Sequence, residues 1–190
     1  MTPTHAEVVQ AAAAWLHDPF KRLPMIEIAL PGGALRADVL AWAATGDLFF
    51  IVEAKASRTD FRRGHSKFAW YRDWCDRFYV AAPVGLIDVT ELEPGIGLLE
   101  VAEGHPERGV AARATLRRRP RTSRMDEEKR KTMVGRVTQR LLVFYEKAMY
   151  ATTRVDHEPR DDCPADSLCH YQAMERRRSR LVRALEPKAP

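Results

Sequence analysis

An α/β fold with a helical extension at its C-terminal end is what the sequence predicts, on three observations. Helix and strand periods follow one another as helix, three strands, helix, strand and further strands, the order of a layered α/β sandwich. The run LFFIVEA (48–54) is apolar at every position before Glu53, so it reads as a central strand covered on both faces. Beyond Pro120 the pattern turns helical and basic.

Residues 4–17 form the first expected helix. Thr4 stands at its cap, Glu7 follows three positions later, and alanines fill the middle. MIEIAL (25–30) alternates as a strand does and stops at the turn Pro31-Gly32-Gly33. RADVLAWA (36–43), the turn ATGD (44–47) and LFFIVEA (48–54) make a hairpin. SRTD (57–60) is a second capping box, with Ser57 as N-cap. Behind it Phe61, Gly64, Phe68, Tyr71 and Cys75 recur at steps of three and four, which predicts one amphipathic helix over 58–74. RFYVAAP (77–83), GLLEVA (97–102) and AARATLRR (111–118) are the remaining strands. A second region spans 121–190. Ser123 can cap a long helix there, acids occupy its first turn, and Val134, Val137, Leu141, Tyr145 and Ala148 stripe one face. Residues 152–164 are polar and turn-like, and 166–185 hold a last helix containing ERRRSRLVR.

Composition narrows the function. No apolar run approaches the ~18 residues of a membrane span. The first residues lack a basic segment and carry Glu7 within their apolar part, so no signal peptide is expected. Cys75, Cys163 and Cys169 form no dense framework, which suits a reducing, cytoplasmic setting. Charge is uneven. Residues 1–112 carry 11 Lys/Arg against 15 Asp/Glu, net −4, and residues 113–190 carry 20 against 11, net +9. A basic tail meets phosphate or membrane surfaces, or is solvated helix surface.

The hairpin carries the chemistry. A turn centred on Thr45-Gly46 pairs residues whose numbers sum to 91, setting Ala43 beside Leu48, Leu40 beside Ile51 and Asp38 beside Glu53. Opposed residues share a face with Cβ atoms about 4.5–5.5 Å apart, and Lys55 returns to that face two positions on. Two like charges in direct opposition are destabilising unless a cation lies between them. Mg²⁺ (or Mn²⁺) takes carboxylate oxygens and keeps several waters, so Asp38 and Glu53 can hold it beside a phosphate, with Lys55 offsetting charge that builds on phosphorus. Glu7 adds a ligand if the first helix packs beside the sheet. By itself Glu-x-Lys is a common tripeptide, and Asp38 can equally end a strand; the register joins them.

LRADVLAW (35–42), LFFIVEAKASRTDF (48–61), SKFAWYRDWCDRFYVAAP (66–83) and GIGLLEVAE (95–103) resemble the MmcB family of bacterial DNA-repair proteins, a branch of the PD-(D/E)xK nuclease superfamily. A weaker likeness continues through RKTMVGRVTQRLLVFYEKA (130–148), so the resemblance covers roughly residues 5–150. The change in pattern at Pro120 divides the chain into a nuclease-like domain over 1–120 and a basic helical extension over 121–190. The resemblance implies a restriction-endonuclease-like mixed β-sheet core flanked by helices and leaves residues 151–190 unexplained. It also implies that Asp38 and Glu53 are the metal-binding acids, Lys55 the catalytic lysine and Glu7 the first-helix acid. Lys67, Tyr71, Asp73 and Asp76 fall in the family's signature after the active strand. The activity implied is a metal-dependent deoxyribonuclease, an endonuclease, working in DNA repair with DNA and other repair proteins as partners. The rival reading is a catalytically inactive DNA-binding or scaffolding protein on the same fold.

Other residues have narrower claims. Tyr71 and Cys75 lie on the apolar stripe and read as core. Trp70 and Trp74 lie off it and can stack on unpaired bases or pack under a later strand. Lys67, Arg117, Arg118, Arg119 and the run Arg176, Arg177, Arg178 are candidates for phosphate contacts. His157, Cys163, Cys169 and His170 match no common zinc spacing. The long helix offers a homodimer surface, which nothing in the sequence demands.

Overall fold

The structure, a computed structural model, describes residues 2–17, 22–43, 45–105 and 109–154. It divides into two compact units, Met1–Arg130 and Lys131–Pro190. In chain order the elements are α1 (His5–His17), β1 (Leu23–Ala29), β2 (Arg36–Ala43), β3 (Leu48–Ala54), α2 (Arg58–Gly64), a 3-10 turn (His65–Lys67), α3 (Phe68–Arg72), β4 (Arg77–Pro83), β5 (Gly97–Ala102), β6 (Arg113–Arg118) and α4 (Glu127–Arg154).

The six strands form one sheet in sequence order. β1, β2 and β3 are antiparallel neighbours, β3, β4 and β5 run parallel, and β6 returns antiparallel to β5. Parallel neighbours need a crossover, and α2 and α3 supply it between β3 and β4. The result is the α/β fold that the element order predicts and the mixed sheet flanked by helices that the resemblance implies. β3 lies inside the sheet, as its two-sided apolarity requires.

Strand parity decides what faces what. Val8, Val9, Ala12 and Leu16 of α1 pack in one cluster with Val39, Ala41, Phe50, Val52, Tyr79, Ala81 and Leu99. Residues of the opposite parity, Asp38 and Leu40 on β2 and Ile51 and Glu53 on β3, therefore point to the other face. There α2 and α3 lay down a chain of rings: Phe61 lies 6.1 Å from Phe68, Phe68 lies 5.3 Å from Phe78, and Tyr71 stacks on Phe78 at 5.7 Å. Such pairs add roughly 0.5–1.5 kcal/mol each beyond burial.

Two expected helices differ in detail. The helix expected over 58–74 breaks at Gly64 into a 3-10 turn and a second short helix. Its stripe survives the break, for Phe61, Gly64, Phe68, Tyr71 and Cys75 are all buried. Glycine is a weak helix former, so the break falls where the helix is cheapest to interrupt. α4 starts at Glu127, because Asp126 rather than Ser123 accepts a first-turn N–H, that of Lys129 at 2.8 Å. Ser123 instead donates its backbone N–H to the Asp76 carbonyl at 2.9 Å.

The first unit extends past residue 120 to Arg130, because Asp76 also ties down Met125 and Arg130. Along the second unit's part of α4, Val137 is buried whereas Tyr145 on the same expected stripe is exposed. The helix expected over 166–185, Arg176, Arg177 and Arg178, and His157, Cys163, Cys169 and His170 all lie outside the described residues.

Candidate active site

The hairpin register is the expected one, with Ala43 opposite Leu48, Leu40 opposite Ile51 and Val39 opposite Val52. One step further sets Asp38 opposite Glu53. The two strands are clasped at this level by the Ala54 N–H, which donates to Asp38 Oδ2 at 2.8 Å. On the other side of β2, Glu27 of β1 breaks the ladder with φ +55° and turns its side chain into solvent.

Glu53 and Lys55 are 7% and 4% exposed, so both charges sit in the protein interior. Lys55 Nζ donates to Glu53 Oε1 at 3.0 Å and to Asp60 Oδ1 at 3.4 Å. Asp60 is brought there by α2, whose N-cap Ser57 accepts the Asp60 N–H. Gly64 completes the enclosure. A Cβ at that position would lie 2.6 Å from Lys55 Nζ and 2.7 Å from its Cε.

Burial pushes the Glu53 carboxyl up to about 7, the charge of Asp38 pushes it the same way, and Lys55 opposes both. Asp38 is also raised, by burial first, against the pull of the Ala54 N–H and His5. Burial works to lower the Lys55 ammonium, but Glu53, Asp60 and Asp38 outweigh it and hold it above its ordinary value. Two carboxylates that resist ionisation beside a lysine that keeps its proton make a site short of positive charge.

One atom shows this directly. Glu53 Oε2 is buried and accepts no hydrogen bond. Tyr71 lies beside Glu53, and its phenol is raised by burial and by that carboxylate. Its hydroxyl lies 3.1 Å from the Arg36 carbonyl, so that carbonyl and the Glu53 carboxylate compete for one proton. An orphaned carboxylate oxygen facing a second acid suits a hard divalent cation, which binds through one or two carboxylates and completes its shell with water and phosphate. Asp38 and Glu53 are the residues that would hold it. Among the described residues no group of three or more His, Cys, Asp or Glu side chains is placed to hold a metal, so these two acids would do so without a third such side chain.

Glu7 is not part of this group. Its carboxylate accepts from the backbone N–H and the hydroxyl of Thr4, both at 2.8 Å, closing the capping box that the sequence shows. It lines a cavity of about 620 Å³ with Gln10, Gly104 and Val110, toward the β5–β6 connection. His5 is the α1 residue at the acids, with Nε2 3.8 Å from Asp38 Oδ1. Sequence reasoning passed over it because a histidine beside a cap carries no periodic signal.

The other candidates divide. Lys67 is exposed on the 3-10 turn and Arg117 and Arg119 are exposed on or beside β6. Arg118 is not available to phosphate: its guanidinium donates to the carbonyls of Ile96, Val89 and Glu93 at 2.7–2.9 Å. Asp76 is a structural acid, Tyr71 and Cys75 are core, Trp74 lies under Lys129, and Trp70 is 63% exposed.

Residues 2–150 match the family described as DNA repair protein MmcB-like. The chain belongs to the MmcB-like DNA repair family. A protein of unknown function from Silicibacter pomeroyi has a similar fold, with a TM-score of 0.59 and 21% identity over 84% of this chain and 98% of that one. No curated protein matches the chain. As an MmcB-like protein the chain has a role in DNA repair, and the partner this role implies is DNA. Among the described residues no helix is long and apolar enough to cross a membrane.

Proposed function

We propose that this MmcB-like protein is a DNA-repair endonuclease of the PD-(D/E)xK type, in which Asp38, Glu53 and Lys55 hydrolyse a phosphodiester bond. The observation that carries the reading is the buried, unsatisfied Glu53 Oε2, on the same face as Asp38 and beside a protonated lysine, with only the shared proton of Tyr71 near the carboxylate. A bound Mg²⁺ or Mn²⁺ ion supplies a Lewis acid for phosphate and a water of lowered pKa. Asp38 and Glu53 would hold that ion, since β2 and β3 fix their spacing through the Ala54–Asp38 hydrogen bond. Lys55 keeps its charge through Glu53 and Asp60, so it meets the negative charge that develops on phosphorus without waiting for a proton. Burial of the lysine strengthens this attraction, because few waters screen it. Exposed Lys67, Arg117 and Arg119 are suited to the polyanion.

The test is single-turnover cleavage of nicked, flapped, branched and duplex DNA in Mg²⁺ or Mn²⁺. Lys55→Ala is expected to keep most DNA affinity and to lose cleavage by about a hundredfold or more, the scale of a removed electrostatic or acid–base group. Lys55→Arg is expected to rescue poorly, because the planar guanidinium is bulkier than an ammonium. Parental cleavage by Lys55→Ala sinks the assignment. No cleavage by the parent with either metal favours the DNA-binding or scaffolding reading, in which the Lys55–Glu53 pair is a closed structural contact.

A further inference from the structure

We infer that Gly64 is a positioning residue whose missing side chain makes the seat of the Lys55 ammonium. Three explanations compete for a buried glycine at the end of α2, and the structure removes two. A left-handed backbone does not require it, since Gly64 has φ −82° and ψ −18°, a conformation open to every residue. Nor does a left-handed helix cap, because the next residue, His65, is also right-handed at φ −56° and ψ −39°. Helix strength argues against it outright, as glycine weakens a helix relative to alanine.

Close approach is what remains. The three atoms nearest to a Cβ at Gly64 all belong to Lys55: Nζ at 2.6 Å, Cε at 2.7 Å and Cδ at 3.8 Å. No backbone atom is among them. The crowding is therefore specific to one side chain, unlike Gly104, whose nearest neighbours are backbone atoms of the β5–β6 connection. The ammonium lies against Gly64 and donates to Glu53 Oε1 and Asp60 Oδ1. Asp60 and Gly64 are four residues apart, so the helix presents both toward the lysine. A methyl group at 64 would leave the backbone in place and push the flexible end of Lys55 out of its seat. Gly135 provides an internal control: it too lies in a helix, and nothing lies within 4 Å of a Cβ there.

The positional claim stands on this geometry alone; its kinetic consequence rests on the nuclease reading above. The experiment compares the parent, Gly64→Ala and Gly135→Ala by limited acylation with acetic anhydride, each lysine being quantified by peptide mass spectrometry. Lys55 in the parent is expected to react slowly, and Gly64→Ala to speed it by about tenfold or more, as expected when a closed site opens. Lys67 and Lys129 are expected to be unchanged, and Gly135→Ala to match the parent throughout. Unchanged Lys55 reactivity in Gly64→Ala overturns the inference, and so does a rise shared by all lysines, which marks general loosening.

Cleavage by Gly64→Ala is expected to fall by up to about a hundredfold, the effect of a displaced catalytic group, with DNA affinity unchanged. Faster acylation in a protein whose parent cleaves nothing leaves the seat intact and removes the nuclease reading. Should Gly64→Ala fail to fold, Lys55→Ala/Gly64→Ala decides, because shortening the lysine vacates the space the methyl needs and the two changes must be non-additive. A double variant no more stable than Gly64→Ala overturns the seat.

Discussion

Asp76 and Glu53 are buried acids, 1% and 7% exposed, that flank the same stretch of β-sheet. Asp76 Oδ2 accepts the Phe49 N–H at 2.8 Å, and its Oδ1 accepts from Met125 N at 3.0 Å and Arg130 at 2.6 Å. Both of its oxygens accept hydrogen bonds, and it joins the start of β3 to the chain that leads into α4. Glu53 has one lysine on one oxygen and leaves the other unsatisfied, the Tyr71 phenol near the carboxylate being shared with the Arg36 carbonyl. Depth alone therefore does not mark a reactive acid. Incomplete satisfaction next to a second acid does, because a folded chain retains such a cost only where something else removes it.

The largest test of this contrast is Asp76→Ala. It leaves two buried N–H groups, those of Phe49 and Met125, without acceptors and strips the Arg130 guanidinium of its closest carboxylate, leaving it only Asp47, so a loss of about 3–5 kcal/mol is expected in urea unfolding. A loss below about 1 kcal/mol would dissolve the distinction between the two acids.

Next in size is the pH dependence of the metal-free protein. Glu53 binds its proton more tightly folded than unfolded, with its carboxyl raised from 4.5 to about 7. Its contribution is full below about 4.5 and is lost as pH rises through about 7, a decline of ~3 kcal/mol to which Asp38 adds in the same direction. Unfolding in chelator across this range should show the decline in the parent and a flatter curve in Glu53→Gln. Adding Mn²⁺ should restore stability at the alkaline end, since a cation prefers the deprotonated pair. An unchanged curve with Mn²⁺ would count against the metal site.

The smallest expected effect extends the comparison to cations. Exposed Lys67 and internally bonded Arg118 were equal candidates in the sequence. Lys67→Ala should weaken DNA binding a few-fold and lower the salt slope by about 1, whereas Arg118→Ala should cost stability and leave the slope alone. Equal slopes for the two variants would show that neither touches the polyanion.

The site's backbone was legible in the sequence because strand parity is rigid. Once the turn at 44–47 is recognised, Asp38 must share a face with Glu53, and the observed pairing of Leu40 with Ile51 agrees. Its walls were less legible. Gly64 read as one more small residue on an apolar stripe, since spacing reveals a face but not what approaches it. Asp60 read only as a capping-box acid, and its second bond to Lys55 spans two elements. Glu7 carried two compatible readings, cap or ligand, and the nearer partner Thr4 took it. Arg118 had no local signature of its role, because the carbonyls it binds lie 22–29 residues away along the chain.

The turn between β2 and β3 supplies no catalytic group, yet its length is tied to the site's survival. Trp42 Nε1 donates to Asp47 at 2.9 Å, and Gly46 and Asp47 hold φ +83° and +46°. Any odd insertion or deletion here would move Asp38 to the opposite face from Glu53 and Lys55 in one step, with no intermediate that keeps partial function. Over evolutionary time this loop can exchange residues but cannot drift by a single residue in length. The connection from β5 to β6 does not set the register of Asp38 against Glu53, so related chains that keep both acids should differ in length there first.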